Sequence, residues 1–263
     1  MTDASTNAGR AVLVTGGARR IGAAIVRRFA AEGWRCVIHH RASHDEAEAL
    51  RAEIEAAGGA ARLARFDLAD PKAAEDGLAE AFRAEPGLAV LVNSASVFEY
   101  DEALAPSPQV WSDALTVNSL TPVTLAAAFH RLSPAEARGC VVNILDQKLN
   151  NLNPDYFSYT VSKAALQAAS QIMARAFAPR TRVVNIAPGL ILPSADQTDA
   201  EFARSAVMNV LERRTTAEEV ADGVYFAATS PYLTGQTLYV DSGQSLAAHP
   251  RDVMFIVREE GGA

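Results

Sequence analysis

Short, continuous runs of apolar residues alternate along this chain with longer stretches in which apolar residues recur every three or four positions. The first run, Ala11-Val-Leu-Val-Thr15, is of the kind that forms a strand buried on both faces. The Gly-rich turn Thr15-Gly-Gly-Ala-Arg-Arg-Ile-Gly22 leads from it into a helical pattern over 23–31, which packs through Ile21, Ile25, Val26 and Phe29 and stops at Gly33. The same reading predicts strands at 36–39, 61–66, 89–92, 139–145, 182–187 and 237–240. Helices are predicted at 44–57, 71–84, 108–132 and 156–177. Strand and helix units in this alternation predict an α/β fold, a Rossmann-type doubly wound parallel sheet with helices on both faces. No linker, repeat or low-complexity tract divides residues 1–263, so a single domain is expected, with a disordered polar start at 1–9 and a substrate loop at 190–210.

Composition narrows the class. A formal charge of −7 argues against a nucleic-acid surface. No apolar run approaches the roughly 20 residues of a membrane span, and the first ten residues lack the apolar core of a signal peptide, so a cytoplasmic protein is expected. Cys36 and Cys140 both fall in apolar runs without metal-ligand spacing, which reads as two buried thiols and no metal site.

A strand, a Gly-rich turn and a helix N-terminus in succession present free amides and the positive end of the helix dipole to an anion, so residues 15–22 read as a dinucleotide phosphate cradle. The residues after the second strand select the dinucleotide. A partner for bare ribose hydroxyls is Asp or Glu, but here the chain reads His39-His40-Arg41-Ala42-Ser43. The reading is NADPH, with Arg41 and Ser43 on the 2′-phosphate and Arg19 assisting. The alternative is an exposed Arg beside a Ser that caps the next helix. Asp67, just past the third strand, either accepts from the adenine amino group or caps the turn before Pro71.

Tyr159 and Lys163 stand four apart in a predicted helix, where residues share one face, so the ammonium can approach the phenol and lower its pKa. The chain contains three lysines against twenty-one arginines, and one of the three is kept here. A compact charge on a flexible stem differs from a planar fork that never deprotonates. The alternative is a solvated helix pair.

Taken together, the glycine turn 15–22, Asp67, Asn93-Ser-Ala95, Asn118, Tyr159 with Lys163, Pro188-Gly189, Thr234-Gly-Gln236 and Val240-Asp-Ser-Gly243 resemble the short-chain dehydrogenase/reductase family over essentially the whole chain. The resemblance implies a sheet ordered 3-2-1-4-5-6-7. It also implies Tyr159 as acid/base, Lys163 on the nicotinamide ribose, and Asn118 holding a water in a proton relay. Cofactor contacts are implied at Gly16, Arg19, Arg20, Ile21, Gly22, His40, Arg41, Ser43, Asp67, Leu68, Asn93, Ala95, Lys163, Pro188 and Gly189. Two departures from the common pattern, Arg20 for a glycine and Asp146 for the Ser thirteen residues before the tyrosine, are similar to the pteridine reductase branch. That branch has an Arg in the turn that reaches both cofactor phosphates and pterin, a His-Arg pair like His40-Arg41, and a turn like Ser94-Ala-Ser-Val-Phe98. The implied substrate contacts are Arg20, Ser96, Phe98, Asp146 and Tyr159.

The chemistry of Asp146 leads the same way. An ionised carboxylate would repel the alkoxide that forms in ketone reduction. It suits a nitrogen heterocycle, either by accepting ring and amino N–H groups or, if burial raises its pKa, by passing a proton through Tyr159 to a ring nitrogen. Phe98 could lie over the flat bicycle, or could be a core aromatic; Asp146 could be a loop cap. With the resemblance, which implies a pterin, a dihydropterin, dihydromonapterin or dihydrofolate reductase is expected. The rivals are a generic NADPH-dependent carbonyl (ketone or 3-oxoacyl) reductase and a non-catalytic dinucleotide sensor. Ala-rich helices at 108–132 and 156–177 with apolar residues on more than one face predict a homotetramer.

Overall fold

In the computed structural model, which describes residues 9–193 and 197–261, seven strands form one parallel sheet. They are β1 (Ala11–Thr15), β2 (Arg35–His40), β3 (Ala61–Arg65), β4 (Leu88–Asn93), β5 (Gly139–Ile144), β6 (Thr181–Pro188) and β7 (Thr237–Val240). Their order is β3-β2-β1-β4-β5-β6-β7, as the resemblance implied. The helices are α1 (Arg20–Ala31), α2 (His44–Ala56), α3 (Pro71–Ala84), α4 (Pro108–Leu115), α5 (Thr121–Leu132), α6 (Phe157–Phe177), α7 (Asp199–Ser205), α8 (Ala217–Thr229) and α9 (Val253–Gly261). The disordered start expected at 1–9 lies, apart from Gly9, outside the described residues.

Alternate residues of the buried strands feed two separate cores, as a period of two requires. Val12, Val14, Ile38, Val90, Val92, Val142 and Val184 pack beneath α1, α2 and α8. Ala11, Leu13, Val37, Leu91, Val141 and Val183 pack on the opposite face beneath α3, α5 and α6. Both cysteines are buried, and burial pushes the thiols up, Cys36 to about 12 and Cys140 to about 11. Among the described residues no helix is long and apolar enough to cross a membrane.

The sheet reverses its direction of growth at β1. The chain runs outward to β2 and β3, then crosses back to put β4 on the other flank of β1. Loops leaving β1 and β4 must diverge there, which opens a crevice at the carboxyl ends of the strands. The side chain of Thr15 closes the base of that crevice: its Oγ1 accepts from the amides of Ser94 at 3.0 Å and Ala95 at 3.2 Å.

The helix expected at 108–132 is interrupted. Residues Thr116–Leu120 form one widened π turn between α4 and α5, in which the Thr121 amide donates to the Thr116 carbonyl five residues back. Pro122 has no N–H to return to the carbonyl four residues earlier, so a regular ladder cannot pass this point. Such single-turn bulges reorient side chains, and this one carries Asn118.

Candidate functional site

The glycine turn is built by close backbone approach. Gly16 has a φ of +64°, and a Cβ on Gly22 would stand 2.1 Å from the Gly16 carbonyl oxygen, so α1 abuts the turn directly. A Cβ on Gly16 would in turn meet Ala95 at 3.1 Å, which brings the β1 and β4 turns together. Helix α1 begins at Arg20, three residues before the expected start, and its first turn has no side-chain cap. Its leading amides therefore face the crevice mouth without an internal acceptor. Arg20 has a φ of +55°, a left-handed conformation that costs a non-glycine residue on the order of 1–3 kcal/mol. Its guanidinium reaches the Pro193 carbonyl at 3.5 Å, so the side chain crosses the crevice toward segment 190–210. Ile21 is half-buried against the core beneath α1.

Beneath the turn lies a residue that sequence reasoning passed over as a mere strand end. His39 is buried; its Nδ1 accepts from the Gly16 amide at 3.1 Å and its Nε2–H donates to the Phe66 carbonyl at 3.1 Å. Those two bonds require the neutral ring, and burial pushes its pKa down to about 4. A buried histidine directly before His40-Arg41 was the available signal.

At the end of β2, His40 is buried with Nδ1 unpartnered among the described residues. Burial and the neighbouring His44 hold its pKa below the usual range. Arg41 is exposed, and its guanidinium lies 3.8 Å from Asp67. Ser43 stands at the N-cap of α2, yet its side chain makes no capping bond, so the capping alternative does not occupy the hydroxyl. Arg19 lies 3.6 Å from Glu46. Asp67 accepts from the Ala69 amide at 2.9 Å and so caps the turn before Pro71. Leu68 is buried, and its carbonyl accepts from Thr121 Oγ1 at 2.7 Å.

Behind the crevice, polar side chains interlock. Asn93 donates to Asn143 Oδ1 at 2.8 Å, and Asn143 donates to Ser170 Oγ at 2.9 Å. Asn118 is 1% exposed; its Oδ1 accepts from the Val97 amide at 2.9 Å and Ser96 Oγ at 3.0 Å, and its Nδ2 donates to the Val97 carbonyl and Ser162 Oγ, each at 3.0 Å. The Asn118 side chain is thus committed to bracing the 94–98 turn, and the Ser96 hydroxyl, expected on the substrate, is bonded to it. Phe98 is not a core aromatic: it is 40% exposed, stacks on Tyr156 at 4.2 Å and meets Tyr159 edge-on at 4.6 Å.

Two elements deliver the reacting groups. Asp146 follows β5 and is half-buried, and the buried Tyr159 and Lys163 share the inner face of α6. The Tyr159 hydroxyl donates to Asp146 Oδ2 at 2.8 Å. Asp146 Oδ1 accepts from the Lys148 amide at 2.8 Å, so the carboxyl both caps the following turn and holds the phenol. Lys163 Nζ donates to the Ile144 carbonyl at 2.8 Å and lies 5.7 Å from the Tyr159 ring centre. The expectation that lysine lowers the tyrosine's pKa is corrected here. Burial and the adjacent Asp146 push Tyr159 well above its ordinary value, because the phenol faces a carboxyl before it faces an ammonium. Burial also raises Asp146 and lowers Lys163 to about 8.

The far wall comes from Pro188, Gly189 and the segment beyond. The Gly189 amide donates to the Val240 carbonyl, and a Cβ there would meet Gln244 Oε1 at 2.9 Å and Asp241 Cα at 3.0 Å. Segment 190–210 includes α7, with residues 194–196 outside the description. The C-terminal tail reaches the same region: Arg251 grips the Asp155 carboxylate with Nε and Nη2 at 2.8–3.0 Å, and Asp252 approaches Lys148. Sequence reasoning did not assign Lys148, Asp155 or Arg251.

Comparison with known proteins gives a consistent set of relatives. The family model described as enoyl-(acyl carrier protein) reductase matches residues 16–245. The short-chain reductase protein NovJ of Streptomyces niveus is 30% identical, over 92% of this chain and 97% of its own. The dihydromonapterin reductase of Enterobacter sp. (strain 638) is 28% identical, over 90% of this chain and 97% of its own. The crystal structure of FolM alternative dihydrofolate reductase 1 from Brucella canis, complexed with NADP, superposes with a TM-score of 0.85 at 39% identity, over 90% of this chain and 95% of that one.

Proposed function

The chain belongs to the short-chain dehydrogenase/reductase family and is an NADP-dependent reductase; from that premise we propose that it reduces the pyrazine ring of a dihydropterin, a class that includes dihydromonapterin and dihydrofolate. The observation that carries this reading is the 2.8 Å hydrogen bond from the Tyr159 hydroxyl to the carboxyl of Asp146.

The residues present fit the cofactor. The leading amides of α1 lack a cap, and the glycines at 16 and 22 leave no room for side chains where the turn must approach a phosphate closely. Gly16, Arg19, Arg20, Ile21 and Gly22 would hold the pyrophosphate end. No acid directly follows β2, and His40, Arg41 and the uncommitted hydroxyl of Ser43 would receive the 2′-phosphate. Asp67 and Leu68 would border the adenine. Asn93, Ala95, Lys163, Pro188 and Gly189 would border the nicotinamide half. When bound, NADPH supplies the hydride.

The chain's own part is to place and protonate the substrate. Tyr159 gives its phenolic proton to the ring nitrogen, and Asp146, whose burial favours the protonated carboxyl, returns one to the phenol. Lys163, anchored on Ile144, keeps a positive charge near the oxygen that transiently loses its proton. Asn118 fixes the 94–98 turn, so Phe98 offers an aromatic face for a flat bicycle to stack against. Arg20, arched over the crevice, supplies donors from the opposite side.

A ketone reductase needs a hydroxyl donor that stays uncharged beside the tyrosine, whereas this chain's carboxyl turns negative once it has passed its proton to Tyr159, so simple ketones are the weaker reading. The test is NADPH oxidation against dihydropterins, dihydrofolate and simple ketones. Turnover of dihydropterins at least about tenfold above ketones is expected, and the reverse preference overturns the proposal. Exposed apolar residues on the α5 and α6 faces, Leu132 and the 68%-exposed Ile172, together with Leu120 in the π turn, support assembly as a homotetramer. Light scattering that returned a monomer at micromolar concentration would refute it.

A further inference from the structure

Among three lysines in the chain, two are buried within reach of one carboxyl, and only Lys163 has been given a task. Lys148 is 4% exposed. Its Nζ donates to the Asp155 carbonyl at 2.6 Å, stands 3.7 Å from Asp252 Oδ2, and lies 5.4 Å from the Tyr156 ring centre. Its own amide donates to Asp146 Oδ1. An ammonium taken out of water is expensive unless its protons are satisfied and a counter-charge stands close, and here the C-terminal tail provides the counter-charge. The tail is itself fastened to the same loop: Arg251 chelates the Asp155 carboxylate, and the Asp252 amide donates to Asp155 Oδ2 at 2.7 Å.

We propose that Lys148 is a positioning residue acting through Asp146: its buried ammonium, held by Asp155 and Asp252, governs where the proton shared by Asp146 and Tyr159 resides. The proposal rests on the reading that this pair handles the substrate proton. The groups facing Asp146 are Tyr159 and Lys163 from α6 and Lys148 from the turn that follows it. Asp252 faces Tyr159 and Lys148 from the tail, and Asp155 faces Lys148 from the loop before α6. Burial drives Asp146 toward the neutral acid, and the two ammoniums oppose it. Lys148 therefore keeps the carboxyl from becoming too weak an acid to release its proton, and the negative charge of Asp252 partly offsets that effect. This gives the last residues of the chain a role in proton delivery.

The two charges predict shifts of opposite sign. Removing the positive one (Lys148→Met) lets Asp146 hold its proton to higher pH, whereas removing the negative one (Asp252→Asn) makes it release the proton at lower pH. The asparagine in D252N can still accept from the Met254 amide, which Asp252 Oδ1 does here at 3.1 Å, so the start of α9 is kept. The experiment is a 13Cγ NMR titration of aspartate-labelled, substrate-free protein, with the Asp146 resonance identified by its loss in Asp146→Asn. We expect the midpoint to rise by about half a pH unit or more in K148M, to stay near the parent in Lys148→Arg, and to fall in D252N. A parallel alkaline limb in the dihydropterin pH–rate profile should move in the same directions. An unmoved midpoint in both K148M and D252N, or a shift of the same sign in both, overturns the proposal. Should K148M fail to fold, Lys148→Gln, which keeps a donor for the Asp155 carbonyl, takes its place, with the same upward shift expected and an unmoved midpoint overturning the proposal. The titration needs no substrate, so it can fail independently of the pterin reading, which absence of dihydropterin turnover by the parent would sink.

Discussion

His39 accepts the Gly16 amide on one ring nitrogen and donates to the Phe66 carbonyl from the other, so one neutral imidazole ties the phosphate turn to the end of β3. Protonation would put a proton on Nδ1, against the Gly16 N–H. The folded-state pKa, near 4, lies below the ordinary 6.5, so the unfolded chain binds the proton more readily. The stabilisation is therefore complete above about pH 6.5 and lost as pH falls toward 4, with at most about 3 kcal/mol at stake. Urea unfolding at a series of pH values should show this acid-side slope in the parent and a shallower one in His39→Asn. Equal slopes would mean that other groups carry it.

Arg41, proposed to receive the 2′-phosphate, has as its present neighbour a carboxylate 3.8 Å away in an exposed setting. So loose a pair is worth little, and the guanidinium can turn to a phosphate without a large loss. Arg41→Asp should raise the Michaelis constant for NADPH by about tenfold or more while changing that for NADH far less. Equal effects on both cofactors would remove the 2′-phosphate assignment.

At Gly22 the constraint is steric. A methyl group there would lie 2.1 Å from a backbone oxygen, so Gly22→Ala must push α1 away from the turn. Overpacking of this kind costs about 1–3 kcal/mol, and the displaced amides would no longer converge. Calorimetry should show a lower melting temperature, and fluorescence titration should show weakened binding of NADPH and NADH alike. An unchanged affinity for both would mean that the α1 amides do not hold the phosphates.

Strands were readable because a parallel sheet covered on both faces demands continuous apolar runs, and Ala11, Leu13, Val12 and Val14 serve both cores at once. The shared face of Tyr159 and Lys163 followed from helical spacing alone. What the lysine would touch did not, since the Ile144 carbonyl becomes available only where β5 ends. The break at 116–120 was hidden because apolar periodicity continues across it, and the change lies in the backbone ladder around Pro122. Lys148, Asp155, Arg251 and Asp252 were invisible as a group, since nearly a hundred positions separate the two pairs in sequence and only the path of the tail joins them.

The sharpest division between a pterin reductase and a ketone reductase lies at Asp146. Its carboxyl accepts a hydrogen bond from the phenol at 2.8 Å, and burial raises its pKa, so in the proposed scheme it resupplies Tyr159 after each turnover. Asp146→Ser removes that resupply and should lower dihydropterin turnover by about 10²-fold or more, the usual scale for a lost acid/base partner. A serine hydroxyl there can donate to a ketone oxygen, so any weak ketone reduction should hold or rise. Tyr159→Phe should abolish both activities while leaving NADPH affinity in place, because Lys163 keeps its anchor on Ile144. Steady-state kinetics with both substrate types, set beside NADPH titrations, separate these outcomes. An Asp146→Ser enzyme that reduced dihydropterins at the parent rate would leave the carboxyl as a cap for the Lys148 amide and nothing more.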